Sequence, residues 1–265
     1  MSDRDVVPGA ASTAVTNLAM TRRPVGAAAC LWPGGRSGVA DVGVLTVLGV
    51  ELRAVARALA AGSGYRVREA AGGLLFHQAR LGAARVVALQ SLHLGQRSTI
   101  VAFEQLREHW APPVVALVGV ARAGHRSVAL GDVVVSDEVV HCDLRPATSE
   151  APRRRGHTLH APGMIGRRLN AFFAEHGEPY RLADRTGEFS VRRGPIGSAE
   201  AVVANPNSDL RAYRSANLLA VDTRAGGIAQ AVHERLDRHH TPAGWLTVRG
   251  ISDRADVHDY NRHDI

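Results

Sequence analysis

From Val42 to Leu48 the chain reads Val-Gly-Val-Leu-Thr-Val-Leu, then switches at once to helical spacing, with Leu52, Val55, Ala56 and Leu59 on one face over 50–61. An apolar run of this kind suits a strand buried on both faces, which needs helices above and below it. The alternation continues. Apolar strands are predicted over 73–78, 84–90, 114–118, 131–136, 194–196, 218–221 and 246–251. Helices are predicted over 98–109, where Ile100, Phe103 and Leu106 share a face and Pro112-Pro113 follows, and over 166–176, 208–216 and 225–233. Strands alternating with helices predict an α/β fold, one sheet sandwiched between helix layers.

Composition narrows the class. A chain of 265 residues, 45% of them hydrophobic, holds one sizeable core or at most two small ones. Residues 1–38 are rich in Ala, Gly, Pro and Thr without a sustained period and read as a flexible leader, leaving 39–265 as the folded domain. No stretch approaches the roughly 20 apolar residues of a membrane helix. The start, Met-Ser-Asp-Arg-Asp, lacks the features of a secretory signal. Cys30 and Cys142 are the only cysteines, which argues against a disulfide scaffold or structural zinc, so a cytoplasmic enzyme is expected. The formal charge is +7 and the basic side chains are all Arg, without Lys. Only Arg153 to Arg155 form a run, so the excess does not make the patch that nucleic-acid binding requires.

Four segments carry a resemblance. They are Val42 to Leu52, where a strand leads to Glu51; Val118 to Gly124 followed by Leu130-Gly131-Asp132-Val133-Val134-Val135-Ser136-Asp137; Gly194-Pro195-Ile196-Gly197-Ser198-Ala199-Glu200; and Val248-Arg249-Gly250-Ile251-Ser252-Asp253-Arg254-Ala255-Asp256. In order and separation, from about 41 to 257, they resemble the methylthioadenosine/S-adenosylhomocysteine nucleosidases of the nucleoside phosphorylase superfamily. The resemblance implies a three-layer α/β/α sandwich with a central twisted mixed sheet, a homodimer, and a nucleoside or nucleotide as small-molecule partner. It requires no metal or organic cofactor.

It also implies chemistry. Cleaving a purine N-ribosyl bond passes through an oxocarbenium-like state, and the base leaves more readily if an acid protonates it. By resemblance that acid is Asp253, oriented by Ser252, and Glu51 is the base for the attacking water. Taken singly, Glu51 is as well read as a helix-start charge and Asp253 as a turn residue. Val120, Ser198, Asp222, Thr223 and the backbone of Val203 fall in segments expected around the substrate. Phosphorolytic relatives carry an Arg soon after the first-strand Gly, whereas this chain has Thr46 to Val50 there, which favours water over phosphate.

Three positions depart from the family pattern. Val221-Asp222-Thr223-Arg224 stands where a carboxylate accepts the ribose hydroxyls, and a guanidinium has five donors and no acceptor. Arg224 is therefore expected either to recognise an anionic substituent or to pair with Asp222 and block the pocket. Arg122 adds a second cation in a glycine-rich turn, and Val202 replaces a base-stacking aromatic. These changes keep an alternative open, a phosphorylase-like module that binds a nucleotide signal or a protein without turnover. Gly119 to Gly124 has the gap of a phosphate-binding loop, but His125-Arg126 follows in place of Lys-Ser/Thr, and His233-Glu234 lacks the second His of a zinc helix.

Overall fold

The computed structural model describes residues 38–142, 157–184, 187–199, 217–234 and 244–254. Most of the expected leader, the loop with Arg153 to Arg155, the helix expected over 208–216, and Val202 and Val203 lie outside them.

Thirteen strands form one mixed sheet among the described residues. β1 (Val42–Thr46), β2 (Ser63–Ala70), β3 (Leu74–Leu81), β4 (Ala84–Gln90) and β5 (Val114–Ala123) come first. Next are β6 (Val133–Ser136), β7 (Glu138–His141), β8 (Thr158–His160), β9 (Tyr180–Asp184) and β10 (Gly187–Arg193). β11 (Ile196–Ser198), β12 (Ala220–Asp222) and β13 (Gly244–Arg254) complete it. Among the described residues the α-helices are α1 (Gly49–Ala60), α2 (Gln96–Trp110), α3 (Gly163–His176) and α4 (Ala225–His233).

Period-two alternation along the central strands assigns side chains to two cores, as a sheet covered on both faces demands. Leu45, Val87, Leu89, Val115 and Leu117 pack with Phe103 and Leu106 of α2 and Ile228 and Val232 of α4. Val44, Val86, Ala88, Ala116 and Val118 pack with Val55 and Leu59 of α1 and Leu169 and Phe172 of α3. Among the described residues two helices cover each face, which makes the three layers expected. Each fully buried aliphatic or aromatic side chain of this set contributes about 1.5–3 kcal/mol.

Some expectations need correction. Val118 to Ala123 is not a turn: it is the second half of β5, laddered to β13, with Arg122 and Ala123 paired to β12 on the other side. The strand expected at 194–196 runs from Ile196 to Ser198. β2 was illegible because almost every residue in it is exposed; antiparallel pairing with β3 holds it, without an apolar face. The buried stripe of α1 is Glu51, Ala54, Val55 and Leu59, so the helix is turned to put a carboxylate inward while Leu52 and Ala56 are only half-buried.

Candidate active site

β5 changes partner halfway along its length. Val114 to Leu117 pair with β1 in parallel, whereas Arg122 and Ala123 pair with β12 antiparallel; β13 runs beside β5 throughout. Where β1 stops, its place is open until β12 arrives. Crevices at such changes of partner are where open α/β sheets bind ligands.

Glu51 fills the near side of this gap. It is the third residue of α1 and reaches back, so that Oε2 accepts the N–H of Val47 and of Leu48, each at 2.8 Å. That is half of a capping box, and it satisfies donors that a helix start leaves unpaired. Oε1 accepts the N–H of Val120 on β5 at 2.9 Å. Val120, expected near the substrate, thus commits its N–H to Glu51. Gly119 makes the approach possible: a Cβ there would lie 2.2 Å from Glu51 Oε1 and 2.7 Å from Arg249 Nη1.

Arg249 comes from the middle of β13 and is completely buried. Its Nη2 lies 2.5 Å from Asp222 Oδ2, an ion pair without hydrogen-bond alignment. The other oxygen of Asp222, Oδ1, accepts the N–H of Arg224 at 3.0 Å and of Ala225 at 2.9 Å, so it caps α4. Ser198 does related work: its Oγ accepts the N–H of Gly226 at 2.9 Å, which ties β11 to the same helix start. Gly226 and Gly227 let α4 close against α2, since a Cβ on Gly227 would meet the Gln96 carbonyl at 2.7 Å.

Arg224 does not form the ion pair with Asp222 that one sequence alternative supposed. Asp222 takes Arg249, while Arg224 Nη1 lies 3.9 Å from Glu51 Oε1. The antiparallel register explains this: β12 pairs Val221 with Arg122 and heads toward the Gly119–Val120 level, where Glu51 sits. Thr223 lies in the turn between β12 and α4.

Ser252 and Asp253 stand at an irregularity of β13. Ile251 pairs with Ala121 and Asp253 with Arg122, so Ser252 is the extra residue of a bulge. Bulges re-aim side chains beside active sites. Asp253 Oδ1 lies 3.3 Å from Arg122 Nε, and its side chain is 48% exposed. The expected acid is therefore a half-exposed carboxyl group ion-paired with a guanidinium. Ser252 Oγ donates to the Ala121 carbonyl at 3.5 Å, a long contact directed at β5 and not at the Asp253 carboxyl.

Glu51, Arg224, Asp222, Arg122, Asp253 and Ser252 are thus brought to one end of β5. Sequence reasoning overlooked Gly119 and Arg249. A signal for Arg249 existed: a charged residue inside the run Trp245-Leu246-Thr247-Val248-Arg249, where burial demands a partner. Among the described residues no group of three His, Cys, Asp or Glu is placed to hold a metal, and no helix is long and apolar enough to cross a membrane.

Comparison with known proteins adds to this geometry. A family model described as the phosphorylase superfamily matches residues 41–264. The 5'-methylthioadenosine/S-adenosylhomocysteine nucleosidase of Bacillus thuringiensis is 27% identical over 190 residues, 71% of this chain and 76% of the relative. The structure of the nucleosidase of that name from S. pneumoniae, with a transition-state inhibitor, aligns with a TM-score of 0.60 at 22% identity over 81% of this chain and 86% of that one. Futalosine hydrolase of Helicobacter pylori aligns with a TM-score of 0.60 at 16% identity, over 82% and 86%. At these identities the two structures speak for the fold.

Proposed function

The chain belongs to the phosphorylase superfamily, and from that premise we propose that it is an N-glycosidic hydrolase acting on a purine nucleoside or nucleotide. The observation that carries the reading is the convergence of two carboxyl groups on β5. Glu51 is anchored at Val120 and Asp253 faces Arg122. A sugar held between an acid and a water-activating base is the arrangement that such hydrolysis requires.

In this reading water attacks the anomeric carbon and gives its proton to Glu51. The bond to the base breaks, its electron pair leaves with the purine, and Asp253 supplies the proton that lets the base depart neutral. Ser252 and Thr223 border the site, and Val202 and Val203 are assigned to the base by resemblance alone. The reading also carries a homodimer in the cytoplasm, and sedimentation velocity tests the dimer.

One observation favours a second reading, a binding module without turnover: each of the two carboxylates faces a guanidinium. A single assay separates the two. Release of free base is measured over a panel of purine nucleosides and nucleotides, with Asp253→Asn as control and free sugar distinguished from sugar 1-phosphate. Release that vanishes in the variant supports the hydrolase. No release by folded protein moves the assignment to the binder.

A further inference from the structure

Glu51 has little acceptor capacity left. A carboxylate offers about four lone-pair positions, and backbone N–H groups of Val47, Leu48 and Val120 occupy three of them. Arg224 Nη1 stands 3.9 Å from Oε1, the oxygen with one backbone partner. The Arg224 side chain is 13% exposed and that of Glu51 is 1% exposed, so the pair is largely shielded from water. A sugar presenting two bare hydroxyl groups needs acceptors. Arg224 supplies none, and Glu51 keeps only the position that Arg224 faces.

We propose that Arg224 is the specificity-determining residue of this site, admitting a nucleoside whose sugar edge bears an anionic group and rejecting one that offers only hydroxyls. The inference rests on the hydrolase reading. Its basis is the Arg224–Glu51 contact together with the crowding of Glu51. An anion hydrogen-bonds a guanidinium at about 2.7–2.9 Å, often with two parallel contacts, and the present contact with Glu51 is longer than that. The anion draws the guanidinium from Glu51 and leaves Oε1 open to a water proton. Substrate binding and activation of the base are then one event. The anion is not consumed: water adds to the anomeric carbon, the glycosidic bond breaks, and the purine departs with the proton from Asp253.

The test compares base release from adenosine and from its 2'- and 3'-monophosphates by wild-type protein, Arg224→Lys and Arg224→Glu. The expected result is a preference of about a hundredfold in kcat/KM for one monophosphate, weakened in Arg224→Lys and reversed in Arg224→Glu. Equal rates on adenosine and both monophosphates, or a ratio unchanged in Arg224→Glu, overturn the proposal while the hydrolase reading stands. If no variant turns over, calorimetric binding of the same compounds decides. Tighter binding of a monophosphate that is lost in Arg224→Glu upholds the specificity and removes the hydrolase; equal binding removes the specificity. Should Arg224→Glu fail to fold, Arg224→Met takes its place, with loss of the preference expected.

Discussion

Arg249 and Asp222 meet 2.5 Å apart with side-chain exposures of 0% and 1%. Removing one member of such a pair strands the other charge in a medium that cannot solvate it, at a cost of about 3–5 kcal/mol. Arg249→Met is expected to lose that much stability in urea unfolding. Combining it with Asp222→Asn is expected to cost less than the two single changes added together, because neither charge is then left alone. Additivity would show that the pair is not coupled.

Gly119→Ala inserts a methyl group where Glu51 Oε1 would lie 2.2 Å away. Overpacking of this kind costs about 1–3 kcal/mol, and Glu51 is displaced from Val120. Gly250→Ala on β13 is the control, since a Cβ there meets nothing within 4 Å. Its stability is expected to stay within about 0.5 kcal/mol of the parent. Equal losses in the two variants would contradict the packing argument.

Glu51→Gln preserves shape but turns an amide N–H₂ toward backbone donors. One or more of the Val47, Leu48 and Val120 N–H groups then lacks an acceptor, a loss of about 1–3 kcal/mol. The base is lost as well, so kcat is expected to fall by about 10²–10⁴. Thermal unfolding and base release report the two effects separately.

Asp253→Asn should separate the same two quantities. The Arg122–Asp253 pair is part-exposed, and pairs of that kind contribute about 0–1 kcal/mol. Folding is expected to survive nearly unchanged while base release drops by about 10²–10⁴. A large loss of stability in this variant would assign Asp253 to the framework instead.

His77 should titrate below its ordinary value of 6.5, because burial disfavours the imidazolium. The unfolded chain then binds more protons than the folded one between the two values, and stability rises with pH across that window. The contribution is complete above 6.5 and is lost as pH falls through the folded value. An NMR titration of the His77 ring with a midpoint at or above 6.5 would refute this.

Much of the frame was legible because burial writes itself as periodicity. Val42 to Leu48 and the stripe around Phe103 and Leu106 reported their own packing. The strands β2 and β9, with few inward side chains, left no such trace and exist through pairing. The ion pairs were illegible for another reason. Which acid faces Arg224 depends on the β12–β5 register and on the missing Cβ of Gly119, and no local pattern encodes either. The sequence names the charges; only topology decides which of them meet.

The change of partner along β5 also bears on how the molecule reaches its native state. Val120 meets Glu51 across 69 positions of sequence, and Ala121 meets Ser252 across 131. Closing loops of that length before any contact rewards the closure slows a folding reaction. Helices and the β2–β3–β4 and β9–β10 hairpins can form while the crevice is still unbuilt, so a chain caught early holds local structure and none of its chemistry.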